Sequence, residues 1–234
     1  MKLMALALAG AVSSVASATF VEYYTVKTST TSGAVALDVY VLYARFNGAT
    51  DTVLNAFNFN GVNGATTNGF YHKDNAYLNS GVLMKEYGTW NPSQTGSVTL
   101  NRPFDSFLTI GGTANPTNTT NADPSWTGAA SWNRPDILDG ANVGWFNSNP
   151  PNNQGRVGVG TGAGANPADA VRLGQFVVDA GANIGTFNLK IGYNNGVAGS
   201  PVQFAESTFT LGAIPAPGAI ALLGLAGLAG RRRR

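Results

Sequence analysis

The chain has 234 residues, of which 11% are charged and none is cysteine, and its formal net charge is +2. That composition excludes a disulfide framework and thiol chemistry, and the lack of a basic patch in the body argues against nucleic-acid binding. With a single histidine and no cysteine, a zinc site built from those ligands is excluded as well.

Taken in order, the chain opens with Lys2, an apolar run over residues 3–12, and the small-x-small triplet Ala16-Ser17-Ala18. This is the pattern of a secretory signal segment, residues 1–18, cut after Ala18 so that Thr19 becomes the first residue. Setting aside Lys2 and the four C-terminal arginines takes Lys+Arg from 14 to nine against 12 Asp+Glu, so the body is mildly acidic. Its polarity comes from Asn, Thr, Ser and Gly, as in many secreted β-proteins.

Residues 20–28 are rich in Val, Tyr and Thr and predict a strand, followed by a turn at Ser32-Gly33. Residues 35–46 predict a long central strand, apolar on both faces after Val39 and therefore covered on each side. Asn47-Gly48 closes it. Residues 52–60 alternate, with Val53, Asn55, Phe57 and Phe59 on one side. These two strands are expected to pair as antiparallel neighbours. Weaker strand signals fall on Phe70-Tyr71-His72 and Val82-Leu83-Met84, and better ones on residues 97–100 and 104–110.

Residues 111–167 are dense in Gly, Asn, Pro, Thr and Ser and read as a long loop region or insertion, crossed by a short element at 142–146. Regular alternation returns at 170–179, 185–193 and 204–211, with Asn194-Asn195-Gly196 as a turn between the last two. No stretch of the body has an amphipathic helical period. Residues 19–213 therefore predict a single all-β domain, an antiparallel β-sandwich of jelly-roll or cohesin-like kind.

Chemistry-bearing groups are sparse. His72 stands alone, with no oriented partner in sequence for general-base work. The run Gly158-Val159-Gly160-Thr161-Gly162 lacks the Lys-Ser/Thr and the helix that a phosphate loop needs. Glu22, Glu86 and Glu206 are too scattered to identify a glycosidase pair. Asp136 and Asp139 flank a turn-prone stretch where a structural calcium is conceivable, although the spacing is not that of an EF-hand. No cofactor is expected otherwise, and no catalytic activity. The loop tryptophans Trp126, Trp132 and Trp145, with Trp90, admit two readings: they stack on sugar rings, or they anchor the long loop as packing.

The last 21 residues form a different unit, residues 214–234. Pro215-Ala216-Pro217-Gly218 precedes a run of Ala, Ile, Leu and Gly, and then Arg231, Arg232, Arg233 and Arg234. A helix over 219–230 is about 18 Å long against a bilayer core of about 30 Å, short for a permanent anchor. The arginines keep the extreme end cytoplasmic and the body outside. This tail resembles the PEP-CTERM sorting signal of bacterial envelope and matrix proteins, in the Pro-Ala-Pro-Gly form familiar among planctomycete-like examples; the family usually has Glu where this chain has Ala216. The resemblance implies a membrane-resident exosortase as processing partner, at least transient membrane contact, and a cell-surface or matrix destination. A tail kept uncut as an anchor is the competing reading.

Overall fold

The computed structural model describes residues 18–63, 65, 69–73, 81–85, 89–93, 102–123, 143–160 and 164–212. Among these residues nine strands form two antiparallel sheets packed face to face: β1 (Phe20–Ser32), β2 (Val35–Phe46), β3 (Thr52–Val62), β4 (Phe107–Leu108), β5 (Thr120–Ala122), β6 (Val143–Asn147), β7 (Ala170–Asp179), β8 (Gly185–Asn194) and β9 (Gln203–Leu211). One sheet has the order β1-β2-β7-β4, the other β5-β6-β3-β8-β9. The β-sandwich expected from the patterning is present. Its strand order is not that of a jelly roll, in which first and last strands pair. Without the β5–β6 pair, the connectivity among the described residues is that of a constant-type immunoglobulin sandwich, four strands facing three. The β5–β6 pair widens the second sheet beyond β3.

β1 and β2 join through a two-residue turn in which Gly33 takes φ +60°, a backbone conformation that suits glycine. β7 occupies the other edge of β2. With both edges taken, β2 cannot pair with β3 as the sequence suggested, and the turn after Asn47 instead carries the chain across to the second sheet. There Val53 N–H donates to Gly155 O at 2.8 Å, and β3 finds its neighbours in β6 and β8. β2 is central and covered on both faces, as expected. Tyr40, Leu42, Ala44 and Phe46 point into the main core, while Leu37 and Val39 pack outward with Val177 beneath Tyr71, Leu83 and Phe104.

Asp38 is the polar exception on the inner row of β2. It is buried, and its carboxylate accepts from Lys27 Nζ at 2.7 Å, Ser29 Oγ at 2.7 Å and Gly181 N–H at 2.8 Å. Burial pushes this carboxyl upward, but the three donors outweigh it and hold it below the usual carboxylate range. A depressed folded pKa means stabilisation that is complete above the unfolded value of about 3.9 and disappears as pH falls through the folded one. Asp38→Asn should therefore lower stability at pH 7 and converge on the parent in acid, as read by urea midpoints from pH 7 to about pH 2. Parallel curves over that range would reject the assignment.

β3 departs from simple alternation. Register shifts fall between Val53 and Asn55 and between Phe57 and Asn60, with Asn58 at φ +54°. Each bulge adds a residue and turns the following side chain to the other face. Val53, Ala56 and Phe59 consequently point inward and are buried, whereas Asn55 and Phe57, expected on the same side as Phe59, face out. Phe59 sits at the centre of the sandwich, its ring centroid 5.2 Å from Phe187, 5.9 Å from Phe209, 5.7 Å from Trp145 and 6.1 Å from Phe176 of the opposite sheet.

The strand expected at 104–110 reduces to Phe107–Leu108, because Arg102–Phe104 is a 3-10 turn and the ladder with β7 is interrupted where β7 bulges near Leu173. Phe70-Tyr71-His72 and Val82-Leu83-Met84 come together through a bridge between His72 and Met84. The segment expected at 97–100 lies outside the described residues. Within 111–167, β5 and β6 are sheet strands, so the region is not simply loop. The stretch between them, 124–142, lies outside the described residues.

Candidate functional site

Trp90 and Trp145 are not available for sugar stacking. Trp145 lies on β6 at 2% exposure, with its indole N–H donating to Thr109 O at 3.0 Å. Trp90 is fully buried, accepts at its backbone oxygen from Leu108 N–H at 3.0 Å, and meets Phe70 edge-on at 5.7 Å. Alternation along β6 turns Trp145 inward and its neighbour Phe146 outward. Large indoles here fill the space between layers, and the packing reading holds for these two. Trp126 and Trp132 lie outside the described residues, as do Glu86, Asp136, Asp139, Ala16, Pro215, Ala216, Pro217, Gly218 and the four terminal arginines.

His72 is buried, with its ring edge-on to Trp90 at 4.7 Å. Gly158 and Gly160 take φ +68° and +112° in a turn closed by Gly158 N–H to Pro167 O at 2.7 Å, an ordinary loop role. Among the described residues no three His, Asp or Glu side chains gather as metal ligands would.

The exposed aromatic groups lie elsewhere, on the outer face of the five-stranded sheet. Pairing sets Phe146 of β6 opposite Asn55 of β3, Asn55 opposite Gly192 of β8, and Gly192 opposite Phe204 of β9. The next row runs Phe57, Lys190, Glu206. Phe146 is 46% and Phe204 59% exposed. Gly192 makes room in this row for the Asn55 and Phe204 side chains. A Cβ there would fall 2.4 Å from Asn55 Oδ1 and 3.2 Å from the Phe204 ring, which lies over it.

Polar groups surround the rings. Asn55 Oδ1 accepts from Gly192 N–H at 3.0 Å, and Asn188 Nδ2 donates to Glu206 Oε1 at 2.8 Å. Lys190 Nζ lies 5.7 Å from the Phe57 ring centre and 5.8 Å from that of Phe204, and 3.8 Å from Glu206 Oε2. Beside them a shallow hollow of about 330 Å³ opens between Phe57, Phe146, Asn55 and Asp123, with Gly144 lining it. Such a face offers apolar rings for stacking, with carboxylate, amide and ammonium groups at its margin. Sequence reasoning missed it because the β3 bulges hide Phe57 within an apparently inward row. The usable signal was the adjacent aromatic pair Trp145-Phe146 in β6, one of which a strand must turn outward, and Phe204 at the start of β9.

A second hollow of about 280 Å³ lies at the end of the sandwich where β9 begins, lined by Leu54, Pro150, Pro151, Val197 and Ala198 among others. The chain leaves from the opposite end, after Leu211. No family model matches the chain, and no curated protein or solved structure matches it.

Proposed function

We propose that this is an exported, non-catalytic protein of the cell surface or extracellular matrix, carried there by its N-terminal segment and sorted by its tail, which an exosortase-type enzyme processes. One observation supports the reading above others: the two segments with targeting patterns flank the strands of the body and do not interrupt them. β1 starts at Phe20, two residues after Ala18, and β9 closes at Leu211, four residues before Pro215. Between Gly212 and Pro215 stand only Ala213 and Ile214, a span of at most about 10 Å. Mass spectrometry of protein recovered from the producing cell's surface and medium should give a chain from Thr19 to near Pro217; an intact Arg234 rejects processing.

The outer face described above favours a second reading, glycan binding through Phe57, Phe146 and Phe204 in place of the buried tryptophans. Exposed rings bordered by amide and carboxylate groups suit the apolar face and the hydroxyls of a sugar. A glycan array probed with the exported protein tests it. Binding weakened by Phe204→Ala supports this reading, and no binding to any glycan removes it.

A further inference from the structure

Asp51, at the end of the turn between β2 and β3, is 1% exposed. Among the described residues no lysine or arginine forms an ion pair with it. Its Oδ2 accepts from Gly48 N–H at 3.0 Å, and its carboxylate also accepts the N–H of Thr19. That same Thr19 N–H points to Asn47 Oδ1 at 3.1 Å, and Asn47 N–H returns to Thr19 O at 3.2 Å. The backbone is shaped around this carboxylate: a Cβ at Gly48 would fall 2.5 Å from Asp51 Oδ1. A buried carboxylate without a cation is costly, and burial here pushes the carboxyl upward against the two N–H donors. One amide proton is also being asked to serve two acceptors, Asn47 and Asp51. A peptide nitrogen at position 19 is therefore an incomplete partner for what faces it.

We propose that Asn47, Gly48 and Asp51 form a socket for the α-ammonium group of Thr19, created when the signal segment is cut after Ala18. Hydrolysis of the Ala18–Thr19 peptide bond consumes one water and leaves the carboxylate on Ala18 and the amine on Thr19. At neutral pH that amine takes up a proton and carries three N–H donors. One serves Asn47 Oδ1, one serves Asp51, and the cation offsets the buried charge. The inference rests on the export reading and adds to it a step that ties processing to stability. Ala18 is 2% exposed within the main core, so the scissile bond is shielded once the sandwich has closed. Cutting must therefore precede closure, and the socket rewards chains that were cut.

The experiment uses the full chain, exported and processed by the producing cell, beside a chain with Ser-Ala inserted between Ala18 and Thr19 so that the amine lies two residues away. The first residue of each is read by mass spectrometry, and Asp51→Asn is made in both. With Thr19 first, Asp51→Asn should shift the unfolding equilibrium by roughly 10–100-fold, reflecting a broken buried pair that is partly open to solvent; in the inserted chain the shift should be several-fold smaller. Should Asp51→Asn fail to fold, NMR titration of the isotopically methylated amine in the parent takes its place. A pKa above the ordinary value of about 7.7–8.0 is expected. Equal shifts in the two chains, or an amine titrating at its ordinary value, overturn the socket while leaving export intact. A first residue other than Thr19 overturns the socket together with its premise.

Discussion

Replacing Phe59 with alanine should cost the domain about 3–5 kcal/mol, the range for removing a fully buried aromatic side chain. The ring stacks on Phe187 and Phe209 within its own sheet and reaches Phe176 across the interface, so its loss leaves a cavity bounded by rigid rings from both layers. Those neighbours cannot collapse into the space without leaving their own contacts, which places the cost toward the upper end. Urea unfolding of parent and variant measures it. Phe204→Ala is the control, since this ring is 59% exposed and should change stability by less than about 1 kcal/mol. Equal costs at the two positions would show that the layers do not meet at Phe59.

Asn166→Ala should be comparably damaging, although it removes no apolar surface. Its Nδ2 donates to Gln154 O at 3.0 Å and to Arg156 O at 2.8 Å, while its Oδ1 accepts from Arg172 N–H at 3.1 Å. The side chain is buried and so works as a stitch between the turn after β6 and the start of β7. Alanine orphans the Gln154 carbonyl and the Arg172 amide and leaves Arg156 O with only Val159 N–H at 3.3 Å, at roughly 1–3 kcal/mol for each orphaned group that finds no water, for a total of about 2–5 kcal/mol. Asn166→Asp keeps the acceptor for Arg172 but sets an oxygen against two carbonyl oxygens. It should therefore be destabilised to a similar extent, and a neutral Asp variant would count against this bonding scheme.

Strand positions were legible where the two-residue period is undisturbed and Gly or Asn turns bound it. β2 and β7 run from 35 to 46 and from 170 to 179, as the pattern predicts, and β8 and β9 differ by one residue. What could not be read is which sheet a strand joins. Val35–Phe46 and the strand from Thr52 are joined by a short turn, and local reasoning makes them a hairpin. The outcome depends on β7, which lies well over a hundred residues downstream of β2 and holds that edge of it. Bulges defeat the period for a different reason: an added residue at Asn58 is a backbone event that leaves the alternation Val53, Asn55, Phe57, Phe59 looking intact. Composition left two readings of the tryptophans open, and for Trp145 a five-residue strand that buries every second side chain decides for packing.

The Gln154 region shows what composition hides. Gln154 Nε2 donates to Ile110 O and Asn118 Oδ1, both at 2.9 Å, while its Oε1 accepts from Thr119 N–H at 3.1 Å. Asn118 in turn donates to Thr109 Oγ1 at 2.9 Å. A string of Asn, Gln and Thr that reads as floppy is thereby a cross-linked polar lattice that fixes the connections around β5 and β6.

The two ends of the folded chain lie at opposite poles of the sandwich, Phe20 in one sheet and Leu211 in the other. Tension applied between them runs parallel to the strands. β1 would have to slide along β2, and β9 along β8, and in that direction every rung of a ladder resists together, whereas peeling opens rungs one at a time. A body gripped at these two poles is thus loaded in shear, the geometry in which paired strands give way last.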